Sequence, residues 1–161
     1  MSEGAKNIHL RTPMPKEKFV AKLAATLQAG GQVEAPPAGP KIGDKMPDGT
    51  IYVGLSPETN KPMYAMPVDA PLTMKFNQAE KYAAKLDAHG HHDWRLPTKA
   101  ELNVLFNNRA SIGGFNTSGP GTATWYWSSS PGNNWEAQRF SDGCQDDPSM
   151  EDGRSSLRCV R

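Results

Sequence analysis

The chain has 161 residues, 37% of them hydrophobic, and its 18 basic and 17 acidic residues leave a net charge of +1. This length suits one domain with an appendage, and a balanced charge without a basic stripe disfavours nucleic acid and anionic membranes as partners. No apolar run approaches the roughly 20 residues that span a bilayer, and the first residues lack the apolar region of a secretory leader. We therefore expect a protein made in the cytoplasm without a Sec signal, for which any export or carriage on a particle needs another route.

The first 40 residues predict a helix followed by a linker. Pro15 suits the first turn of a helix, and Gly30-Gly31 would end it. The apolar residues that share one face of this helix are Phe19, Val20, Leu23 and Leu27. A helix this short is marginal alone, so we expect it to support a homo-oligomer or a larger assembly. The sequence thus divides into an N-terminal extension at 1–31, a Pro-rich linker at 32–40 and a domain at 41–161.

The first part of the domain predicts a β-hairpin and a helix. Residues 50–55 and 62–66 have the pattern of strands, and the polar segment 56–61 between them predicts a turn. Residues 74–88 predict a helix that stops near Gly90. Its inward side chains should be Ala79, Tyr82, Ala83 and Leu86.

A strand-to-helix junction follows at residues 93–102. Trp94 and Leu96 alternate with polar neighbours, as in a half-buried strand. Thr98 and Glu101 predict a capping box, in which each side chain accepts a hydrogen bond from the backbone amide of the other. The helix that starts there should run from about Lys99 to Asn108.

The remainder of the chain is rich in Gly, Ser, Thr and Asn and predicts short strands separated by long connections. The strands fall at 125–130, 137–141 and 156–161, and the connections at 112–124, 131–135 and 142–155. Alternation places Trp125 and Trp127 on one face and Tyr126 on the other. Because connections of this length are usually functional or mobile, we expect the binding residues there.

Four motifs in a fixed order indicate a family. They are Asp93–Thr98 with Glu101-Leu102, then Tyr126–Ser130, Phe140–Gly143 and Arg158–Arg161. In this order they resemble the bacterial Lcl C-terminal-domain family, typified by the collagen-like adhesin Lcl, over residues 41–161. The resemblance implies an α+β, C-type-lectin-like fold, in which two helices pack on a small twisted antiparallel sheet with long loops. Relatives with this fold include phage receptor-binding proteins, variable proteins of diversity-generating retroelements and formylglycine-generating-type enzymes.

The resemblance also implies which residues support the fold and which contact a ligand. The residues expected to support the fold are Trp94, Arg95, Thr98, Glu101, Trp127 and Arg158. Val160 is expected to close the sheet. The ligand-binding set is Asn108, Asn116, Trp125, Asn133, Asn134, Trp135, Gln145, Asp147, Glu151 and Arg154. Within it, Trp135 suits an interface contact and a core position equally. The sequence contains neither of the Glu-Pro-Asn and Gln-Pro-Asp tripeptides of animal lectins, which disfavours calcium-dependent sugar binding.

Two polar clusters each allow a metal site or a solvated segment. Residues 89–93 bring three histidines and Asp93 together, a set that suits Zn²⁺ or Ni²⁺. Adjacent histidines diverge on an extended chain, so we favour a polar turn in which Asp93 accepts from backbone amides. The acidic residues between 142 and 152 carry oxygen ligands for Ca²⁺ but lack EF-hand spacing, so we favour a solvated loop. We therefore expect no metal and no cofactor.

The two cysteines, Cys144 and Cys159, are expected to be free structural thiols, with a disulfide as the alternative. The sequence shows no nucleophile–base or paired-carboxylate arrangement. We therefore expect a non-enzymatic recognition module that binds a surface protein or glycan through its C-terminal loops. The alternatives are an enzyme of the formylglycine-generating or metal-dependent type, and a structural subunit of a phage-like or secreted assembly.

Overall fold

A computed structural model describes residues 38–129, 136–146 and 153–161, and Gly39–Arg161 forms one unit. Small antiparallel sheets and a few helices make up this unit, which is α+β as the sequence predicts. The predicted N-terminal helix and most of the predicted linker lie outside the described residues. In chain order the elements are β1 (Ile51–Leu55), β2 (Pro62–Ala65), α1 (Phe76–Lys85), α2 (Lys99–Asn107), α3 (Arg109–Ile112), α4 (Gly121–Thr124), β3 (Trp125–Trp127), β4 (Ala137–Arg139) and β5 (Gln145–Asp146).

β1 and β2 form the predicted hairpin. They are antiparallel, with Ile51 opposite Ala65. The polar turn closes through hydrogen bonds from the Ser56 amide to the Lys61 carbonyl and from the Asn60 amide to the Ser56 carbonyl. The hairpin therefore buries side chains such as Val53 and Met63, while residues 57–61 of its turn stay exposed.

The family resemblance implies one small sheet, whereas the described residues form two. β3, β4 and β5 pair in that order, all antiparallel, apart from the β1–β2 hairpin. The C-terminal segment 155–161, predicted to hold a strand, instead makes single bridges to several elements: Met74↔Ser155, Tyr126↔Ser156, Ala65↔Val160 and Arg95↔Val160. Because its residues bond to different partners in turn, no continuous ladder forms along it.

α1 and α2 lie in the regions predicted to be helical. α1 is shorter than predicted because Met74 and Ala88, at the two ends of the predicted helix, form backbone bridges with Ser155 and His91. α2 begins at the predicted capping box, where Thr98 Oγ1 accepts from the Glu101 amide at 3.3 Å and Glu101 Oε2 accepts from the Thr98 amide at 3.0 Å. In the part of the chain that the structure describes, no helix is both long and apolar enough to cross a membrane.

Two hydrophobic clusters meet at β3. Tyr126 lies in the cluster beneath the hairpin and α2, with Ile51, Val53, Met63, Ala65, Leu102, Leu105, Ile112, Phe140 and Val160. Trp127 and the partly buried Trp125 belong to the cluster beside α1, with Met74, Ala79, Ala83, Trp94, Leu96, Ala137, Leu157 and Cys159. The predicted alternation along β3 is therefore confirmed, and both faces of this strand are covered.

Candidate functional site

The guanidinium of Arg158 is buried and joins three segments of the chain. Its Nε donates to Asp69 Oδ1 at 2.6 Å, its Nη2 to the Gly114 carbonyl at 2.6 Å and its Nη1 to the Met66 carbonyl at 3.1 Å. It also lies 4.1 Å from the centroid of the Phe115 ring. A buried charge is tolerated only when it is paired and hydrogen-bonded in this way. Arg158 therefore fixes the chain around Gly114 against the C-terminal segment.

Tyr126 extends these contacts along the chain to Asn116, two residues after Gly114. Its hydroxyl donates to Asp69 Oδ2 at 2.6 Å and accepts from the Asn116 amide at 2.8 Å. Burial, followed by the negative charge of Asp69, raises the pKa of Tyr126, so the hydroxyl stays protonated and can donate. We call Asp69, Tyr126 and Arg158 the Arg158 cluster.

The chain returns to the core at α4. Ser156 Oγ donates to the Ala123 carbonyl at 2.8 Å, and the Phe140 amide donates to the Thr124 carbonyl at 2.8 Å. Between the Arg158 cluster and this second set of contacts, residues 116–122 are all exposed. This segment, which we call the 116–122 loop, is thus held at its two ends by hydrogen bonds to the buried side chains of Tyr126 and Ser156.

The 116–122 loop has the composition of a polar contact surface. Its sequence is Asn116-Thr117-Ser118-Gly119-Pro120-Gly121-Thr122. Hydroxyl and amide side chains both donate and accept hydrogen bonds, so they can match many polar partners. None of these side chains is ionised near neutral pH. The loop therefore offers shape and hydrogen bonding rather than proton transfer.

A buried carboxylate, that of Glu101, holds α2 to the hairpin. Arg95 donates from Nη1 to Glu101 Oε2 at 2.6 Å and from Nη2 to Oε1 at 2.8 Å, and Ser56 Oγ donates to Oε1 at 2.6 Å. Burial raises the pKa of Glu101, but the hydrogen bonds from Arg95, Ser56 and the Thr98 amide outweigh it and lower the pKa to about 2. We call Ser56, Arg95, Thr98 and Glu101 the Glu101 cluster.

The histidine-rich turn bonds to Asp48. His91 Nε2 lies 2.8 Å from Asp48 Oδ2, and His89 Nδ1 lies 2.8 Å from the Asp48 carbonyl oxygen. The hydrogen bond with His91 lowers the pKa of Asp48. Asp93 accepts from Arg161 Nε at 3.1 Å. Across the described ranges, no group of three or more His, Cys, Asp or Glu side chains is placed to hold a metal ion.

A comparison with known protein families matches the part of the chain that contains these clusters. Residues 54–161 match the Lcl C-terminal domain family. The chain belongs to this family. The matched range contains both the Arg158 cluster and the Glu101 cluster. No curated protein matches the chain significantly.

The aromatic residues that the sequence assigns to the structure of the Lcl C-terminal domain lie in its core. Trp94 and Trp127 are buried, and their indole nitrogens donate to the carbonyls of Ala88 and Met74 at 3.1 and 2.7 Å. Each ring thus buries a large apolar surface without leaving its N–H group unpaired. Both tryptophans connect α1 or its flanking turns to the rest of the domain.

The residues expected to bind a ligand are attached to different elements of the domain. Asn108 follows α2, and its side-chain amide donates to the Val104 carbonyl at 2.9 Å, so it caps the helix. Trp125 is half-buried, with the Arg139 guanidinium 5.3 Å from its ring centroid. Gln145 is exposed on β5. Asn116 belongs to the 116–122 loop, where its backbone bonds to Tyr126.

Arg154 lies beside the start of α1, where its Nε and Nη2 both donate to the Thr73 carbonyl, at 3.2 and 2.8 Å. The other residues expected to bind a ligand lie outside the described residues: Asn133, Asn134, Trp135, Asp147 and Glu151. Among the described residues of this set, Arg154 is therefore the one that bonds next to the start of α1.

Both cysteines are free thiols. Cys159 is buried, and burial raises its pKa to about 12. Because the thiolate is the reactive form of cysteine, Cys159 is inert near neutral pH. Its place in the cluster beside α1 is that of a small apolar side chain.

Sequence reasoning missed Asp69 and an open groove beside α1. Asp69 lies 57 residues from Tyr126 and 89 from Arg158, and no local pattern links residues so far apart. Tyr82 and Leu86, which the sequence predicts to face inward, pack against the cluster beside α1, but both are only half-buried and also line the groove. The spacing of Lys81 and Lys85, four residues apart on a helix, is the signal that could have indicated it.

Proposed function

We propose that this Lcl C-terminal domain is a recognition module without catalytic activity, which binds a surface protein or a glycan through the 116–122 loop and its neighbouring C-terminal loops. The observation that carries the proposal is the contrast between an exposed loop and the buried contacts of Arg158, Tyr126 and Ser156 at its ends. A loop that is ordered before binding loses less conformational entropy when it binds, so more of its contact energy appears as affinity.

The chemistry of the loop favours recognition over catalysis. Ser, Thr, Asn and Gly are the residues that adaptable binding loops use for hydrogen bonding. Glycan hydroxyls and exposed peptide groups are both donors and acceptors, so the same side chains suit either class of ligand. The buried side chains at the start of the loop, Tyr126 and Arg158, are engaged in hydrogen bonds that hold it.

In this proposal the scaffold is C-type-lectin-like, with α1 and α2 as its two helices. The C-terminal segment runs between β2 and Arg95, which supports this arrangement. Tyr64 and Arg161 exchange backbone hydrogen bonds at 3.1 and 2.9 Å, and Arg95 and Val160 exchange two at 2.9 Å. A chain end bonded on both sides closes the structure and leaves the irregular loops as the variable surface.

Assembly through the predicted N-terminal helix is part of the proposal. Several copies on one particle would raise avidity without any new contact at each site. Light scattering on the full chain and on Leu23→Glu/Leu27→Glu would test it, because charge on the predicted apolar face should reduce the measured mass. An unchanged mass would remove the helix from this role.

The binding test is a screen of glycans and surface proteins with the full chain, followed by titration of each hit with loop variants. Thr117→Ala/Ser118→Ala removes two exposed hydroxyls of the loop. Since a net hydrogen bond contributes about 1 kcal/mol, affinity should fall about tenfold or more. Ser141→Ala is the matched control, since it removes an exposed hydroxyl from the turn after β4. Equal affinity of the loop variant and the control would reject the loop as the binding surface.

A further inference from the structure

An open groove runs along the outer side of α1. Its volume is about 690 Å³. The lining residues that matter here are Leu72, Met74, Lys81, Lys85, Leu86 and Arg154. It uses none of the residues of the 116–122 loop, so it is a second surface of the domain.

The floor of the groove is aliphatic. Met74 and Leu86 lie at its base, and Leu72 is 70% exposed at its edge. Val68, in the same segment as Leu72, is 61% exposed. Covering apolar surface of this kind is favourable by about 25 cal/mol per Å², so an apolar side chain seated here would gain free energy.

The rim of the groove is positively charged. Lys81 and Lys85 are exposed and lie one turn apart on α1, which places their Cβ atoms about 6 Å from each other. Arg154 adds a third positive charge, which its two hydrogen bonds to the Thr73 carbonyl hold in place. Asp87 is the one carboxylate among the described lining residues, and His92 Nδ1 lies 3.4 Å from its Oδ1.

We propose that this groove docks an acidic amphipathic peptide segment of a partner protein. Leu or Phe side chains of the segment would cover Leu72 and the floor, and its carboxylates would pair with Lys81, Lys85 and Arg154. A peptide fits better than a sugar because the floor is aliphatic, and the only ring that lines the described part of the groove, that of Tyr82, is half-buried. Charge complementarity selects the acidic segment, and the apolar floor supplies affinity.

The probe that tests this docking is a blocked 14-residue peptide with Leu and Phe on one helical face, Glu at the flanking positions and no basic residue. Calorimetry measures its affinity for the full chain, and amide chemical shifts locate it. Shifts should concentrate on α1 and residues 72–74. Lys81→Glu/Lys85→Glu should weaken binding at least tenfold and Leu72→Ser about fivefold, whereas Lys41→Glu/Lys61→Glu, which reverses two exposed lysines elsewhere, should change it less than twofold.

Three results would overturn the docking proposal. The first is equal binding of a peptide in which Gln replaces every Glu, because the positive rim would then select nothing. The second is tighter binding of a sulfated oligosaccharide than of the peptide at the same residues. The third is a tenfold gain in affinity for the peptide when the chain carries Asp147→Asn/Glu151→Gln/Asp152→Asn. Such a gain would mean that the acidic run of this chain itself occupies the groove. Loss of glycan or surface-protein binding by Thr117→Ala/Ser118→Ala concerns the 116–122 loop alone. The loop and the groove are therefore tested separately.

Discussion

The ionisation of the Glu101 carboxylate is linked to the folding of the domain. Its pKa of about 2 lies below the ordinary value of 4.5, so ionised Glu101 stabilises the folded chain fully above pH 4.5, and this contribution is lost as the pH falls through 2. Glu101→Gln should lower the free energy of unfolding by about 2–3 kcal/mol at pH 7, because Arg95 then loses its partner. Urea unfolding followed by tryptophan fluorescence measures this difference.

The difference between native and Glu101→Gln chains should shrink as the pH is lowered from 4.5 to 2, since both side chains are then neutral. Glu80→Gln is the matched control, because Glu80 is an exposed carboxylate on α1. It should change the free energy of unfolding by less than about 0.5 kcal/mol. A difference for Glu101→Gln that does not vary with pH would show that the ion pair is not its source.

Arg158 and Asp69 form a second ion pair whose two members we expect to be energetically coupled. Arg158→Met leaves the Asp69 carboxylate without its cationic partner and should cost about 3–5 kcal/mol, more than an exposed ion pair contributes. Asp69→Asn should lose less, since its amide oxygen can still accept from Arg158. A double-mutant cycle by urea unfolding should give a coupling above about 1 kcal/mol. Additive effects of the two substitutions would contradict the contact.

At the scale of elements, the turn between β4 and β5 requires a glycine for a reason that its sequence does not show. Gly143 has φ +83°, and a Cβ there would lie 2.5 Å from the Phe106 ring of α2. Gly113 has a similar φ of +77° but open space around its Cβ position. Gly113→Ala should therefore cost about 1 kcal/mol from backbone strain alone, and Gly143→Ala about 2 kcal/mol or more because the packed Phe106 ring must also move.

Thermal unfolding of the Gly113→Ala and Gly143→Ala chains would give this comparison directly. Since the two glycines share the left-handed backbone conformation, the excess loss in Gly143→Ala isolates the contact with Phe106. Equal losses would mean that the turn shifts away from α2 without cost. The 106–143 contact would then not help to position β4 and β5.

The elements that sequence alone predicted are those with local causes. The capping box at Thr98 needs only residues three apart, and the β1–β2 hairpin needs only a polar turn between two alternating segments. The ends of α1 were missed because they depend on Ser155 and His91, which pair with residues predicted to be helical. The partners of Arg158 were missed for the same reason, because Asp69 and Gly114 are distant in sequence.

At the scale of the whole molecule, the resemblance to a family supplied an expectation that periodicity could not. Local patterns predict strands at 125–130, 137–141 and 156–161 but not how they pair, and the structure divides them between a three-stranded sheet and single bridges. The order of the motifs supplied the expectation that Val160 closes the sheet. The position of the 116–122 loop, by contrast, follows from buried side chains that each bond to several distant segments.

Val160 should therefore set the stability of the domain as a unit. It is buried between Ala65 and Arg95, and the amides of Tyr64, Arg95 and Arg161 are bonded across it. In native-state hydrogen exchange these amides should exchange only through global unfolding, at one common free energy, whereas the amides of Thr117 and Ser118 exchange far faster.

Val160→Ala should lower that common free energy by about 2 kcal/mol, and Val68→Ala, at an exposed position, by less than about 0.5 kcal/mol. Faster exchange at Arg161 than at Tyr64 would show that the chain end frays on its own, and the domain would then not be closed by its last residues.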